Sequence, residues 1–424
     1  MATSTNPGPA EQRSGPPPPA PKRYRAGTHR LVSPEETVER VRPLLPAMGI
    51  TRIADVTGLD TLGVPVVMVT RPNARSIAVS QGKGSTLAAA RASGVMESIE
   101  QWHAEHIQLP LKLGTVSELR HRHRLLDVHN LPRLSVVDFH DHLRLFWVAG
   151  LDLVTGAPTW VPFEVVHTDY ALPLLAASGA FVMSSNGLAS GNHPVEAVSH
   201  AICELIERDA ATLWRLSGRE QRRRSRVDPS TVDDLGCRAL LEQVERAGVV
   251  PFLWEITSDI GVPAFCCTLV DRAPNMHRPI APMVGFGCHP SRGVALLRAI
   301  TEAAQSRLTV VSGVRDDVRA RGNGPDDDLR EASRFLEEHA GEPPQRSFDD
   351  APDHAGETLD DDVAWEIERL RTAGLHQIVA VDLTRPELEI PVVRVVIPGL
   401  ESLDDVPGYI PGARAQRRLS ERRS

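Results

Sequence analysis

Hydrophobic and polar residues alternate along this chain with two different periods. Short apolar runs rich in branched and aromatic residues, bounded by Gly or Pro, predict β-strands at 64–70, 144–154, 249–257, 263–271, 377–384 and 390–398. Apolar positions at helical spacing predict three long helices at 85–106, 193–216 and 293–313. Strands interleaved with helices predict a mixed α/β (α+β) protein, although the order of strands in its sheets cannot be derived from the pattern.

Three segments lack this patterning. Residues 1–26 are rich in Pro and small polar residues, which predicts a disordered N-terminus, and residues 27–64 form an N-terminal segment after it. Residues 315–357 are polar, with one predicted helix around 329–339 between solvated loops. Residues 402–424 form a basic C-terminal tail that we expect to fray. The main folded domain is therefore predicted at 65–401.

Composition narrows the class of protein. A net charge of −8 and a pI near 6.1 argue against a general nucleic-acid binder, which is usually basic. The sequence contains no run of 18 apolar residues and no apolar signal region, so we predict neither a membrane span nor secretion. The five cysteines form no CxxC pair, so neither a zinc site nor a disulfide framework is predicted. A cytoplasmic location fits these observations.

Candidate chemistry begins at the stretch "SQGKGST" (80–86), which superficially looks like a phosphate-binding loop. Gly84, not Ser or Thr, follows Lys83, and the glycine spacing of a P-loop is absent. The helix that follows places Ser93, Glu97 and Glu100 within a stripe about 60° wide, beside its apolar face. A single pair of this kind is typical of a solvated helix face.

The other two long helices repeat the arrangement. The second carries a polar stripe and a following arginine, made up of Glu196, His200, Glu204, Glu207 and Arg208. The third carries Arg298, Glu302 and Gln305 on one stripe. Carboxylates on facing helices suit a hard divalent cation such as Mg²⁺, and the cations Lys83, Arg208 and Arg298 suit phosphate groups. Repetition therefore favours a metal-dependent nucleotide site.

Other chemistries are less consistent with the residues. A di-iron helix bundle requires two Glu-x-x-His motifs, and neither Glu-x-x-Glu pair continues in that register. No G-x-S-x-G elbow follows a strand, which argues against a hydrolase triad. The segment "RHRHRLLDVH" (120–129) is typical of a solvated loop, and "QRRRSR" (221–226) of a solvated surface or one that steers an acidic partner.

These motifs resemble those of the YcaO-domain proteins, over residues 65 to 401. The first family motif, Ser-x3-Glu-x2-Glu-Arg, corresponds to Ser93, Glu97 and Glu100, with Gln101 where Arg is usual. The second corresponds to Glu196, Glu204, Glu207 and Arg208, with His200 where Gln is common, and is preceded by "SSNGLASG" containing Asn186. The third, Arg-x3-Glu, corresponds to Arg298 and Glu302.

The resemblance implies a YcaO-type fold in which mixed sheets and helices enclose an ATP site. It implies that Mg²⁺ is held by five glutamates, namely Glu97, Glu100, Glu204, Glu207 and Glu302. The wider set expected around ATP adds Lys83, Ser93, Asn186, Glu196, Arg208, Arg298 and Gln305. No residue is assigned as a covalent catalyst, because the implied chemistry consists of positioning and charge neutralisation.

Within the family, three segments look like the TfuA-associated branch: "PNARSIAVSQGKG", "ITEAAQSRLTVVSGVRDD" and "VVRVVIPGLE". The chain also lacks the PxPxP tail that is frequent in the azoline-forming branch. The resemblance thus implies ATP-dependent thioamide formation on a ribosomally synthesised precursor peptide, with a TfuA-like partner and a homodimeric state. The alternatives are an azoline- or amidine-forming cyclodehydratase and a non-catalytic nucleotide-binding partner protein.

Overall fold

The strands of the protein assemble into antiparallel sheets. The computed structural model describes residues 19–174, 178–313, 324–402 and 406–422. A three-stranded sheet has the order β1 (Arg52–Asp55), β2 (Val66–Thr70), β3 (Val79–Lys83). A four-stranded sheet has the order β12 (Met283–Cys288), β11 (Ala264–Asp271), β10 (Val249–Glu255), β9 (Arg226–Val227).

The largest sheet has six strands and links distant parts of the chain. Its order is β4 (Leu111–Gly114), β6 (Leu145–Asp152), β13 (Val379–Asp382), β14 (Val392–Val396), β8 (Leu188–Ser190), with β7 (Pro158–Pro162) paired to β6. A two-stranded ribbon pairs β5 (Arg133–Leu134) with β15 (Tyr409–Ile410).

The described helices cover these sheets. They are α1 (Pro34–Val41), α2 (Leu87–Glu105), α3 (Val116–Leu119), α4 (Pro194–Leu216), α5 (Arg219–Arg224), α6 (Leu235–Arg246), α7 (Arg292–Ser312), α8 (Pro325–Ala340), α9 (Leu359–Thr372) and α10 (Ala413–Glu421). Short 3-10 helices lie at 42–48, 57–59, 128–130, 163–165, 229–231 and 348–350. None of the helices in the described ranges is both long enough and apolar enough to cross a membrane.

The predicted elements agree with the observed ones. Each of the six predicted strands contains an observed strand, and the three predicted long helices correspond to α2, α4 and α7. The helix predicted around 329–339 is α8, while part of the surrounding polar stretch, 315–323, lies outside the described residues. The combination of helices and antiparallel sheets confirms the mixed α+β prediction.

Two expectations about the chain ends are corrected. Residues 19–26 were expected to be disordered, but Ala20 and Lys22 are buried, and Lys22 forms a buried ion pair with Asp362. The basic tail was expected to fray, but it contains α10, and Arg414 pairs with the buried Asp209 of α4. In both cases the segment is held by an ion pair with a residue far away in the sequence, which the local sequence pattern does not predict. Residues 1–18 lie outside the described part of the chain.

Three hydrophobic cores position the three long helices. Val95 and Ile99 of α2 belong to a core that also includes β2, β6 and β13. Ile202 and Ile206 of α4 belong to a second core that includes β14 and β12. Leu296 and Ile300 of α7 belong to a third core with α6, β10 and β11. The polar stripes of the helices therefore meet where the three cores adjoin.

Glycines allow two of these helices to lie directly on their strands. A Cβ atom on Gly82 of β3 would stand 1.9 Å from the Ala90 carbonyl oxygen of α2. On Gly285 of β12 it would stand 2.2 Å from the Ala303 nitrogen of α7. Such distances are not tolerated by any side chain, so glycine is required for the close approach. Gly82 thus serves packing in a stretch that superficially looked like a phosphate loop.

Candidate functional site

A cavity of about 530 Å³ opens where α2, α4 and α7 converge. Each helix presents to it the polar stripe predicted from the sequence. The predicted residues that line it are Lys83, Ser93, Glu97, Glu100, Glu196, Glu204, Glu207, Arg208, Arg298, Glu302 and Gln305. Residues separated by more than 200 positions in sequence thus share one cavity.

Asn186 is the predicted site residue that does not line the cavity. Its side-chain amide donates a hydrogen bond to the Ser402 hydroxyl at 3.4 Å, and its backbone N–H donates to the Ser184 hydroxyl at 3.2 Å. The neighbouring Gly187 instead reaches the site, because its backbone N–H donates to Glu204 Oε2 at 3.0 Å. Asn186 therefore supports the shape of the loop that contacts Glu204.

Glu302 of α7 is the most strongly compensated carboxylate of the cavity. Its side chain forms an ion pair with Lys83 of β3, and Oε1 accepts a hydrogen bond from the Phe286 backbone N–H at 3.2 Å. Burial alone would raise the pKa of this carboxyl, but Lys83 and Arg208 hold it below its usual value. Glu302 is therefore ionised at neutral pH.

The carboxylates of α2 behave in the opposite way. Glu100 Oε1 accepts hydrogen bonds from the Ser190 backbone N–H at 2.8 Å and from its hydroxyl at 2.7 Å. Removal from bulk water still raises the pKa of Glu100 to about 8, and the nearby Glu97 contributes to the shift. Burial similarly raises the pKa of Glu97 to about 7, partly opposed by Lys83. Neither carboxylate has enough positive charge nearby to offset the effect of burial on its pKa.

Glu204 and Glu207 of α4 share one arginine. Arg208 Nη2 lies 3.5 Å from Glu207 Oε1 and 3.9 Å from Glu204 Oε1, which are long distances for ion pairs. Burial raises the pKa of both carboxyl groups, and Arg208 offsets only part of this effect. The two glutamates therefore have unused capacity for positive charge.

Arg298 of α7 is held by α4 and β12. One Arg298 nitrogen donates to the Cys288 carbonyl at 3.2 Å, and another lies 2.7 Å from His200 Nδ1. Burial, followed by the charges of Arg298 and Arg30, lowers the pKa of His200 well below its usual value. His200 is thus a neutral acceptor for Arg298. On the same helix, Gln305 Nε2 donates to the Gln81 carbonyl at 2.8 Å.

Arg30 is a cavity residue that the sequence pattern did not reveal. It lines the cavity with its Nε 3.7 Å from Glu196 Oε1, while Glu196 Oε2 accepts from the Leu31 backbone N–H at 2.9 Å. Glu196 therefore attaches the N-terminal segment to α4. No motif or periodicity surrounds Arg30, so only its three-dimensional position identifies it.

Gln101 occupies the position where the motif usually has Arg. Only 4% of its surface is exposed, and its carbonyl oxygen accepts a hydrogen bond from the Ser76 hydroxyl at 3.4 Å. The charge of Glu100 interacts favourably with Arg30, which lies elsewhere on the cavity wall. Arg30 thus supplies positive charge close to the place where the usual arginine is missing.

The cavity fits a hard divalent cation bound together with a polyphosphate. Six glutamates line it against the four cations Arg30, Lys83, Arg208 and Arg298. All the strong metal donors among these residues are carboxylate oxygens, the ligand type that Mg²⁺ prefers. The raised pKa values of Glu97 and Glu100 show that these groups favour additional positive charge. A cation would supply that charge, and the arginines could contact phosphate oxygens.

Comparison with known proteins agrees with this assignment. Residues 81–401 match the profile of a family described as YcaO cyclodehydratase, ATP- and Mg²⁺-binding. A protein from Rhizobium leguminosarum bv. trifolii, described only as an uncharacterised protein in the tfuA 3′ region, is 37% identical and covers 88% of each chain. An uncharacterised protein of Methanothermobacter thermautotrophicus is 34% identical over 88% of this chain and 95% of its own.

Two solved structures share the fold. The YcaO protein of Methanopyrus kandleri, bound with AMPPCP and Mg²⁺, superposes with a TM-score of 0.72 at 23% identity, covering 93% of this chain and 99% of that one. A heterocyclase in complex with substrate and cofactor gives a TM-score of 0.74 at 23% identity, covering 91% of this chain. The present chain spans 54% of that heterocyclase, about half its length.

Proposed function

The chain belongs to the YcaO family, and from that premise we propose that it activates peptide backbone amides in an ATP- and Mg²⁺-dependent reaction. The product that we propose is a thioamide in a ribosomally synthesised peptide. The observation that carries the proposal is the convergence of Glu97, Glu204 and Glu302 from three helices on one cavity. The family's description as ATP- and Mg²⁺-binding supports the same conclusion.

The proposed role of the acidic residues is to hold Mg²⁺ against the phosphates of ATP. Glu97, Glu100, Glu204, Glu207 and Glu302 would bind the cation, which would neutralise charge on the transferred phosphoryl group. Lys83, Arg208 and Arg298 would contact phosphate oxygens, and Arg30 would add positive charge near Glu100. Glu302, Arg298 and Glu100 are held by contacts to β3, β12 and β8 respectively, which would fix their orientation before substrate binds.

The proposed chemistry needs no covalent catalyst from the protein. A sulfide nucleophile adds to the carbonyl carbon of a peptide bond, and the carbonyl oxygen then attacks the γ-phosphorus of ATP. The C–O bond breaks, phosphate leaves with the former amide oxygen, and ADP is released. Amide oxygen is otherwise a poor leaving group, which explains the requirement for ATP. The protein contributes orientation and electrostatic stabilisation, which are the main sources of phosphoryl-transfer catalysis.

The thioamide product and a TfuA-like partner are the specific part of the proposal. They are supported by the resemblance of three segments to the TfuA-associated branch and by the relative named from the tfuA 3′ region. We further propose that the partner delivers the sulfur nucleophile, since no described cysteine lies at the cavity surface. A homodimeric state remains a prediction from the family resemblance.

Mass spectrometry of a candidate precursor peptide tests which product forms. The peptide is incubated with the protein, ATP, Mg²⁺, sulfide and the partner, and its mass is then measured. Exchange of oxygen for sulfur adds about 16 Da, whereas loss of water on cyclisation removes about 18 Da. A gain of mass supports thioamide formation. A loss of mass would establish an azoline- or amidine-forming cyclodehydratase instead. ATP binding without any peptide-dependent turnover would indicate a non-catalytic nucleotide-binding protein.

Glu97→Gln and Glu204→Gln test the site itself. Each substitution should weaken Mg²⁺-dependent ATP binding by at least about 10- to 100-fold. Substitution of residues that only support the ligands of a bound metal already has effects of this size. Glu39→Gln is the matched control, because Glu39 is exposed on α1 and pairs with the exposed Arg42 at 2.6 Å, outside the cavity lining. Unchanged ATP affinity and turnover in both site variants would show that the acidic cluster is not the nucleotide site.

A further inference from the structure

A short loop from the N-terminal segment forms one wall of the cavity. Residues 24–30, here the N-terminal loop, are closed by two backbone hydrogen bonds between Tyr24 and Arg30, of 3.0 and 2.9 Å. The loop tip, Ala26, Gly27 and Thr28, lines the cavity together with Arg30. The cavity is therefore complete only while this loop is docked.

The tip is seated closely against the opposite elements. Gly27 has a φ of +73°, and a Cβ atom there would lie 3.1 Å from the Ser85 hydroxyl and 3.4 Å from Leu297 Cδ1. Ser85 precedes α2 and Leu297 belongs to α7, and both line the cavity. The loop tip thus lies against α7 and against the turn that leads into α2, and its backbone conformation favours glycine.

An ion pair outside the cavity lining anchors the loop. Lys22 Nζ lies 2.7 Å from both carboxylate oxygens of Asp362 on α9, and both side chains are fully buried. Lys22 Nζ also donates to the Gly356 carbonyl at 2.8 Å. Just before it, the Ala20 backbone N–H donates to the Asp360 carboxylate at 2.6 Å, and the Ala20 carbonyl accepts from the Leu359 backbone N–H at 2.9 Å. Lys22 and Asp362 are 340 positions apart in sequence.

The same cluster has the composition of a metal site, but its contacts argue against one. Ligand atoms of His29, His289 and Asp362 all lie within 4.8 Å of one another. However, Lys22 already neutralises Asp362. The Ser291 backbone N–H donates to His289 Nδ1 at 3.0 Å, so the proton of the neutral ring is on Nε2 and neither nitrogen offers a free lone pair. The cluster therefore serves as an anchor for the N-terminal loop.

We propose that Lys22 and Asp362 are positioning residues that complete the nucleotide cavity by holding the N-terminal loop in place. This inference rests on the proposed function, since it assumes that the cavity binds ATP. Neither Lys22 nor Asp362 lines the cavity, so the pair would act through the backbone of residues 22–30. Loss of the pair should change how well ATP binds, while the chemical step should be little affected.

The buried ion pair between Lys22 and Asp362 is well suited to control whether the N-terminal loop is docked. A buried cation without its partner is strongly unfavourable, and Lys22 can return to water only if the segment around it leaves its site. If removal of the pair lowers the docked fraction of the loop to about one tenth, the apparent affinity for ATP falls about tenfold. Saturating ATP would restore the docked loop, so kcat should be retained.

The experiment uses the full-length chain with Asp362→Asn. This change keeps the size of the side chain and leaves Lys22 free to leave with the loop, so the remaining fold need not accommodate an unpaired charge. Lys22→Met is the second variant. Arg42→Met is the matched control, because Arg42 and Glu39 form a 2.6 Å pair that is 64% and 66% exposed in the same N-terminal segment.

Two readouts are measured. The first is the KM for ATP and the kcat of ATP hydrolysis in the presence of Mg²⁺. The second is the rate of tryptic cleavage after Arg23, which directly precedes the loop, and after Arg25 within it, both of which are exposed. The proposal predicts that Asp362→Asn and Lys22→Met raise KM about tenfold, change kcat less than about twofold, and accelerate cleavage, with ATP slowing that cleavage. Arg42→Met should behave as the wild type.

Several outcomes would overturn the proposal. Faster cleavage with an unchanged KM would show that the loop is not a functional wall of the cavity, and unchanged cleavage would show that the pair does not hold the loop. Stoichiometric Zn²⁺ binding to the wild type, lost in Asp362→Asn, would make the cluster a metal site. Absence of ATP binding by the wild type would instead remove the proposed function, and the cleavage rates would still decide whether the pair anchors the loop.

Discussion

The Lys83 ammonium group forms an ion pair with the Glu302 carboxylate, joining β3 to α7 across 219 positions of sequence. The pair explains two features of the cavity together. It holds the pKa of Glu302 below its usual value, and it keeps Lys83 directed toward the other glutamates, where the charge of Lys83 also opposes the rise in the pKa of Glu97. The end of β3 and the third motif therefore form a single electrostatic unit.

Lys83→Met should impair ATP turnover more than folding. Loss of the lysine removes a proposed phosphate contact and allows burial to raise the pKa of Glu302, so we expect kcat/KM for ATP hydrolysis to fall about 100-fold. Steady-state hydrolysis with saturating Mg²⁺ checks this. Lys112→Met is the matched control, since Lys112 contacts His123 and the Trp160 ring away from the cavity. Equal losses in the two variants would contradict a specific role for Lys83.

The contribution of Glu97 and Glu100 to stability in the absence of divalent cations should decrease as pH rises from about 5 to about 8. The pKa values of Glu97 and Glu100 are about 7 and about 8 in the folded protein, against 4.5 for an ordinary glutamate. Between these values Glu97 and Glu100 bind more protons in the folded state than in the unfolded state, so their contribution to the free energy of unfolding falls with increasing pH. Thermal unfolding at several pH values, in chelator, measures the effect.

Magnesium should reverse this trend, because it supplies the positive charge that protons otherwise provide. We expect MgCl2 to raise Tm more at pH 8 than at pH 6, since protons compete with the cation at the lower pH. The double substitution Glu97→Gln and Glu100→Gln should remove this contribution to the pH dependence and reduce the response to Mg²⁺. If the double variant shows the same pH dependence of stability and the same Mg²⁺-induced rise in Tm as the wild type, Glu97 and Glu100 do not cause these effects.

Gly82→Ala should strongly destabilise the protein. The added Cβ would stand 1.9 Å from the Ala90 carbonyl and 2.2 Å from the Gly94 nitrogen, so α2 would have to move away from β3. Gly58→Ala is the control, because no atom lies within 4 Å of a Cβ at that position. Chemical denaturation should give a clearly lower midpoint for Gly82→Ala alone. A wild-type midpoint would show that α2 can shift without loss.

Arg414→Ala should destabilise the fold from the C-terminal side. Arg414 is 10% exposed and its Nη2 lies 2.9 Å from Asp209, which is completely buried on α4. Loss of one partner leaves a buried carboxylate unpaired, which costs about 3 kcal/mol. Arg418→Ala on the same helix should cost less than about 1 kcal/mol, because its partner Glu421 is 53% exposed. Urea denaturation compares the two free energies of unfolding, and equal values would contradict a structural role for α10.

Much of the site could be predicted because its residues obey a local rule. Glu97 and Glu100, or Glu204 and Glu207, are three positions apart on helices whose apolar faces are clear from the sequence, so helical geometry places each pair on one stripe. Motif order then indicated that the stripes belong together. Both steps use only spacing along the chain, and the structure confirms the helices on which they depend.

The remaining contacts of the site could not be predicted because they come from chain segments in which hydrophobic and polar residues show no helical or strand periodicity. The hydrogen bonds that Ser190 and Gly187 make to the glutamates come from the short strand β8 and the turn before it, and Arg30 comes from a segment with no local motif. The basic tail looked unstable by itself because a helix as short as α10 is marginal in isolation. Its order depends on Asp209, a partner more than 200 positions away.

The separation of the fold into three cores has a consequence for how the molecule unfolds. α2, α4 and α7 are each part of a different core, so the cavity is the place where three potential cooperative units adjoin. A ligand that bridges Glu97, Glu204 and Glu302 would act as a non-covalent crosslink between these units. Amide hydrogen exchange that occurs unit by unit in the unliganded protein would then become a single cooperative opening when the cavity is filled.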